Sequence, residues 1–147
     1  MNIGIIVAAG RGERTKLTYP KQFYQILGKS LLRIALEKYE YSNLIDKIIV
    51  VANKKFMEET KKECYEINKV YDIIKGGDSR QESVFNALKY LYDKFGFDVS
   101  IVSIHDAARP FVSIEKIEES IKAAIKNGSA VLALPEKNSV SHVTGGL

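Results

Sequence analysis

Three short stretches carry residue types able to hold a phosphorylated ligand. The first runs AAGRGER from Ala8 to Arg14 and ends PKQ at Pro20-Lys21-Gln22, with four cations, Arg11, Arg14, Lys16 and Lys21, against one acid, Glu13. Small residues let backbone N–H groups approach a ligand closely, and glycine permits the angles that aim several of them at one point. In that reading Ala8, Ala9, Gly10 and Gly12 wrap a polyphosphate, and Arg14 and Lys21 supply the fixed charges. An ordinary strand-to-helix turn with solvated charges has the same composition. The loop is neither of the better-known phosphate motifs: it lacks a Gly-Lys-Ser/Thr ending, and no third glycine follows Gly12 three residues on. Pro20 pushes the residue before it toward extended backbone and stiffens the end of the loop.

The second stretch, Gly76-Gly77-Asp78, precedes Ser79-Arg80-Gln81-Glu82, which fits a capping box. It offers backbone groups at a helix N-terminus. The acid at Asp78 favours contact with a base or ribose over phosphate, and Ser83 lies one turn further on, facing nearly the same way as Ser79. A plain helix cap is the alternative. The third stretch is His105-Asp106-Ala107-Ala108-Arg109-Pro110. Asp106 suits a metal ion or a substrate hydroxyl and Arg109 a phosphate, unless the two simply pair across a tight turn. His105, just before a buried turn, reads as a packed, hydrogen-bonded residue and stays outside the catalytic set.

Other chemistries find little support. No Cys/His cluster has metal spacing, there is no G-x-S-x-G elbow, and two histidines leave little room for a triad. Cys64 falls within a charged helical stretch and reads as an incidental thiol.

The elements that must position these loops are set by periodicity. Ile3 to Gly10 starts as a continuous apolar run, the mark of a strand buried on both faces of a parallel sheet. Ser30 caps a helix with Leu31, Leu32, Ala35, Leu36 and Tyr39 on one stripe. Strands are expected over 47–52, 70–75, 99–104 and 130–134, and a charged helix over 54–67. A helix after Ser79 carries Val84, Ala87, Leu88, Leu91 and Phe95 inward, and another after Ser113 carries Ile114, Ile117, Ile121 and Ile125 and stops at Asn127-Gly128. The alternation predicts an α/β fold: a Rossmann-like, doubly wound, mainly parallel sheet flanked by helices, in three αβα layers. In such folds ligands sit beyond the carboxyl ends of the strands, so the three loops should converge on one pocket.

At 147 residues the chain is expected to form a single domain over 1–147, with 46% hydrophobic and 27% charged residues. No apolar run is long enough to span a membrane, the N-terminus has no secretory pattern, and the single cysteine suits a reducing cytoplasm. The net charge is +4 and the isoelectric point about 9.0. Lysines are interleaved with glutamates, as over residues 58–63, and no basic run carries aromatics, so an anionic small molecule explains the excess better than nucleic acid.

Together, AAGRGER…PKQ, GGDSRQESV (Gly76 to Val84) and HDAARP (His105 to Pro110) resemble the 2-C-methyl-D-erythritol 4-phosphate cytidylyltransferases of the non-mevalonate isoprenoid pathway. Ribitol-5-phosphate cytidylyltransferases are similar, but tend to carry AGG in the first motif and HDAVRP in the third. The resemblance implies transfer of CMP from CTP to 2-C-methyl-D-erythritol 4-phosphate with Mg²⁺, giving 4-diphosphocytidyl-2-C-methyl-D-erythritol and pyrophosphate. It implies that Arg14 and Lys21 neutralise charge on the α-phosphate, that residues 8–12 wrap the triphosphate, and that Gly77, Asp78 and Ser83 address the cytosine. Asp106 and Arg109 would serve the acceptor side, with Asp106 also a metal ligand. Ser139 keeps a hydroxyl where the family has threonine, whereas Asn138 lacks the family's acid. Family members continue beyond the fifth strand, so the C-terminal part of the family fold is expected to be absent here. Residues 137–147 would begin an arm through which two subunits form a homodimer. A CTP-binding fragment without turnover is the alternative of another class.

Overall fold

The computed structural model describes residues 1–10 and 19–135. The glycine-rich segment with Arg11, Gly12, Arg14 and Lys16, and the segment with Asn138 and Ser139 in which the arm was expected, lie outside the described residues.

Strand β1 (Asn2–Ala8) lies between β4 (Lys47–Ala52) and β6 (Ile101–Asp106), and β5 (Val70–Lys75) lies outside β4. All three pairings are parallel, and the order is β5-β4-β1-β6. The continuous apolar pattern of β1 and β4 has its reason in this arrangement: both are interior strands, and nearly all of their residues are buried. Alternate side chains feed two cores. Ile6, Ala8, Ile48 and Val50 pack on one face, with Leu32, Leu36 and Tyr39 of α1 (Leu31–Tyr41), Cys64 of α2 (Met57–Cys64) and Ile117 and Ile121 of α4 (Ile114–Asn127). Ile3, Ile5, Ile49 and Val51 pack on the other with Ala87 and Leu91 of α3 (Arg80–Phe95). The result is the expected three-layer αβα sandwich. Each fully buried Ile or Val contributes roughly 1.5–3 kcal/mol.

The α1 stripe is as expected, with Leu31, Leu32, Ala35, Leu36 and Tyr39 all buried. Elsewhere the pattern over-reached. Leu88 and Ile125 are exposed, so their helical spacing does not put them in the core. The charged helix begins as a 3-10 turn, Lys54–Phe56, set by Asn53, whose side chain accepts from Lys55 N, and it ends at Cys64. Cys64 is therefore the buried last residue of the helix rather than a mid-helix one, and burial pushes its thiol up to about 12.

Two further corrections concern β6 and the segment after α4. The strand runs 101–106 rather than 99–104, so His105 and Asp106 end the strand instead of succeeding it. Residues 130–134 form no strand. Val131 and Leu134 are nearly fully exposed, and β6 pairs with β1 alone among the described residues. An apolar run becomes a strand only where a ladder receives it. The sequence pattern also missed a small hairpin, β2 (Gln25–Ile26) with β3 (Lys29–Ser30), turned by Leu27 and Gly28, both at positive φ.

Candidate functional site

The strand order makes the gap between β1 and β6 the point where successive strands switch from one side of β1 to the other, and the carboxyl ends there frame a crevice. The end of β1 is fixed first. Gln22 is buried, and its Nε2 donates to Ala8 O at 2.8 Å and to Gly10 O at 3.2 Å. Asn53, just beyond β4, donates its Nδ2 to Ala9 O at 3.2 Å. Lys21 opens the 3-10 turn Lys21–Phe23 directly after Pro20, whose φ of −59° and ψ of 136° hold the entry extended. Phe23 stacks with Tyr19 and Phe56 at centroid distances of 5.5 and 5.8 Å, which secures the exit of the loop. The three-residue stretch 8–10 and Lys21 are thus tied to one another across the glycine-rich segment.

Arg80, at the start of α3, gives the crevice its second wall, whereas Gly77, Asp78 and Ser83 of the β5–α3 turn are not among its lining residues. Half of the expected capping box is made, Ser79 Oγ accepting from Glu82 N at 3.0 Å, while Glu82 Oε2 reaches one residue past the N-cap to accept from Asp78 N at 2.7 Å. Ser83 is buried, accepting from Gly77 N at 3.0 Å and donating to Ser79 O at 2.8 Å. It holds the loop's backbone from behind. The peptide N–H groups of Gly77 and Asp78 are therefore engaged by the side chains of Ser83 and Glu82. Gly76 brings the loop against the end of β1, since a Cβ built there would lie 2.4 Å from Ala9 Cβ and 2.8 Å from Ser83 Oγ.

The third wall is the end of β6. Asp106 lies opposite Val7 in the ladder. Its Oδ1 accepts from Arg80 Nε at 2.9 Å, and its Oδ2 lies 3.4 Å from Arg109 Nε. The Asp106–Arg109 pair is the one expected across the turn, while the Arg80 contact is additional. His105 is packed, as expected: its Nε2 meets Arg109 O at 2.9 Å, and its ring lies 5.6 Å from Tyr39, whose hydroxyl bonds Ser103 Oγ at 2.9 Å. Burial holds the His105 imidazole below its usual pKa, despite opposing contributions from the Arg109 carbonyl and the Asp106 charge.

Lys21, Arg80, Asp106 and Arg109 line one cleft of about 960 Å³, which continues along β6 and α4 as an apolar trough. Three cations around one carboxylate suit a polyanionic ligand. Among the described residues no cluster of three or more His, Cys, Asp or Glu could hold a metal ion. Asp106 alone is compatible with Mg²⁺ in the mode where one carboxylate adds to ligands supplied by substrate phosphates. Gln22, Asn53 and Arg80 were not legible as site residues. Gln22 and Asn53 act through carbonyls of the loop, and Arg80 acts across 26 positions of sequence.

Fold and crevice together define a Rossmann-like α/β domain of the nucleotidyltransferase kind. A family model described as IspD, 2-C-methyl-D-erythritol 4-phosphate cytidylyltransferase, matches residues 3–146, and the chain belongs to that family. The enzyme of that name from Petrotoga mobilis is 44% identical over 146 residues, covering 99% of this chain and 64% of its own. That from Clostridium acetobutylicum is 43% identical over 143 residues, covering 95% and 60%. Among solved structures, a 4-diphosphocytidyl-2C-methyl-D-erythritol synthase superposes with a TM-score of 0.76 at 26% identity, covering 99% of this chain and 65% of that one. The 2-C-methyl-D-erythritol 4-phosphate cytidylyltransferase of Francisella tularensis superposes at 0.70 with 32% identity, covering 98% and 62%. The chain thus spans about three fifths of the length of these relatives.

Proposed function

We propose that this chain provides the nucleotide half of a cytidylyltransferase that transfers CMP from CTP to 2-C-methyl-D-erythritol 4-phosphate, releasing pyrophosphate. The observation that carries the reading is the meeting of Lys21, Asp106 and Arg109, drawn from the first and last motifs of the family, in a single cleft at the carboxyl ends of β1 and β6. An oxygen of the acceptor phosphate forms the new bond to the α-phosphorus of CTP. The bond from that phosphorus to the bridging oxygen breaks, and its electron pair leaves with pyrophosphate. A phosphate monoester is already a competent nucleophile near neutral pH, so the site needs positioned charge more than a base. Lys21, with Arg14, would neutralise charge developing on the α-phosphate, and residues 8–12 would wrap the triphosphate. Asp106 would hold Mg²⁺ together with the substrate phosphates, the ion supplying neutralisation of phosphate charge. Arg109, with Ser139, would face the acceptor.

With the N–H groups of Gly77 and Asp78 engaged by Ser83 and Glu82, the carbonyls of that loop would accept from the exocyclic amine of cytosine and would meet the carbonyl of uracil as a repelling pair. The protein is further read as a cytoplasmic homodimer joined by the arm over 137–147. The test is pyrophosphate release from CTP and from UTP, with methylerythritol phosphate and ribitol 5-phosphate as rival acceptors. Lys21→Ala should cost turnover the equivalent of ~2–4 kcal/mol. A Lys21→Ala protein that turns over CTP like its parent, or equal use of CTP and UTP, overturns the reading. CTP binding without any pyrophosphate release would leave a nucleotide-binding domain.

A further inference from the structure

Arg80 joins the two sides of the cleft, and the proposed reaction gives it no part. It is the first residue of α3, and its Nε donates to Asp106 Oδ1 at 2.9 Å, from the start of the helix to the end of β6. The other oxygen of that carboxylate faces Arg109 Nε at 3.4 Å. The two contacts differ in kind. A separation of 2.9 Å is a charge-assisted hydrogen bond, and 3.4 Å is a looser ion pair. The Arg109 side chain is 80% exposed and the Arg80 side chain 60%. Arg80 also departs from a turn whose geometry Ser79, Glu82 and Ser83 fix by four hydrogen bonds. The contact is too exposed to matter much for stability. What a short bond to one oxygen can set is direction: it favours one orientation of the carboxylate over the others.

We propose that Arg80 is a positioning residue. It fixes the orientation of Asp106 and ties that orientation to the Gly76–Ser79 loop, so a ligand seated against the loop finds the carboxylate already aimed. The inference rests on the reading of Asp106 as part of the substrate site. It differs from a phosphate-binding role for the guanidinium, in which Arg80 would act on the nucleotide directly.

Arg80→Ala, Arg80→Lys, Asp106→Asn and the double variant Arg80→Ala/Asp106→Asn separate these roles when kcat and the Kd for CTP are measured independently. Arg80→Ala is expected to lower kcat by about 10–100-fold, the usual loss when an orienting partner is removed, while leaving the CTP Kd within about threefold. Arg80→Lys, which keeps the charge and a donor but not the guanidinium plane, should recover part of the loss. In the Asp106→Asn background the removal of Arg80 should cost less than about twofold, because the two act as a unit. Losses that multiply, or a CTP Kd that rises in step with the fall in kcat, overturn the proposal. A second measurement does not depend on turnover. The Arg80 Nε–H signal in a ¹⁵N spectrum should exchange slowly in the parent and rapidly in Asp106→Asn, and an unchanged signal also overturns it. A parent that releases no pyrophosphate would instead sink the proposed reaction, with the spectrum still deciding the role of Arg80.

Discussion

Gly76 is the residue at which the β5–α3 loop meets the end of β1. A methyl group added there would lie 2.4 Å from Ala9 Cβ and 2.8 Å from the Ser83 hydroxyl oxygen, with Ser83 buried and Ala9 packed against the core. The Gly76→Ala protein is therefore expected to lose ~1–3 kcal/mol of stability in urea titrations, the usual cost of overpacking. Its CTP affinity should fall as well, because the strain reaches Ala9 and Ser83 together. His105 makes a prediction of a different sort. Burial keeps its pKa in the folded protein below that of the unfolded chain, ordinarily about 6.5. As the pH drops through that value the unfolded chain takes up a proton that the folded protein resists, so stability is lost on acidification and is flat above about pH 7. Urea midpoints followed from pH 8 to 5 should show the decline. His105→Gln, which keeps an N–H donor for Arg109 O, should remove that component. A parent whose midpoint holds constant down to pH 5 contradicts the argument.

At the scale of elements, the start of α3 bears most on function, because it is helix cap and cleft wall at once. Ser79→Ala removes the acceptor for Glu82 N and should cost ~1 kcal/mol, measurable as a lower urea midpoint with an unchanged slope. Ser113→Ala, which removes the matching acceptor for Lys116 N at the start of α4, is the control: a similar loss of stability with no change in CTP affinity. This scale is also where the sequence was most legible. Interior strands β1 and β4 and the α1 stripe announced themselves because they are buried on every side their pattern claims. Residues 130–134 carry an equally good apolar pattern and form no strand, since periodicity records what a segment can bury and not whether a neighbour receives it. The cleft divides in the same way. Lys21, Asp106 and Arg109 were visible as charged types in short motifs. Arg80, Gln22 and Asn53 were not, because their contacts cross 26, 14 and 44 positions of chain.

For the molecule as a whole, the proposed arm over 137–147 makes a prediction about assembly. If it joins two subunits, light scattering should give twice the mass of one chain, and Ser139→Ala should reduce turnover in proportion to acceptor binding and not to CTP binding. A monomer with undiminished turnover would rule out the exchanged arm. The sheet order has a consequence of another kind, in the time course of synthesis. Strand β1 precedes both of its neighbours in the chain and lies between them in the sheet, yet Asn2 pairs with Ile101. With translation at about 5–20 residues per second, the strand's second partner emerges roughly 5–20 seconds after its first residues. From the emergence of β4 until that of β6, this almost wholly buried strand has a partner on one side and nothing of its own on the other, so the nascent polypeptide depends on chaperones or on speed to keep that edge from a stranger's.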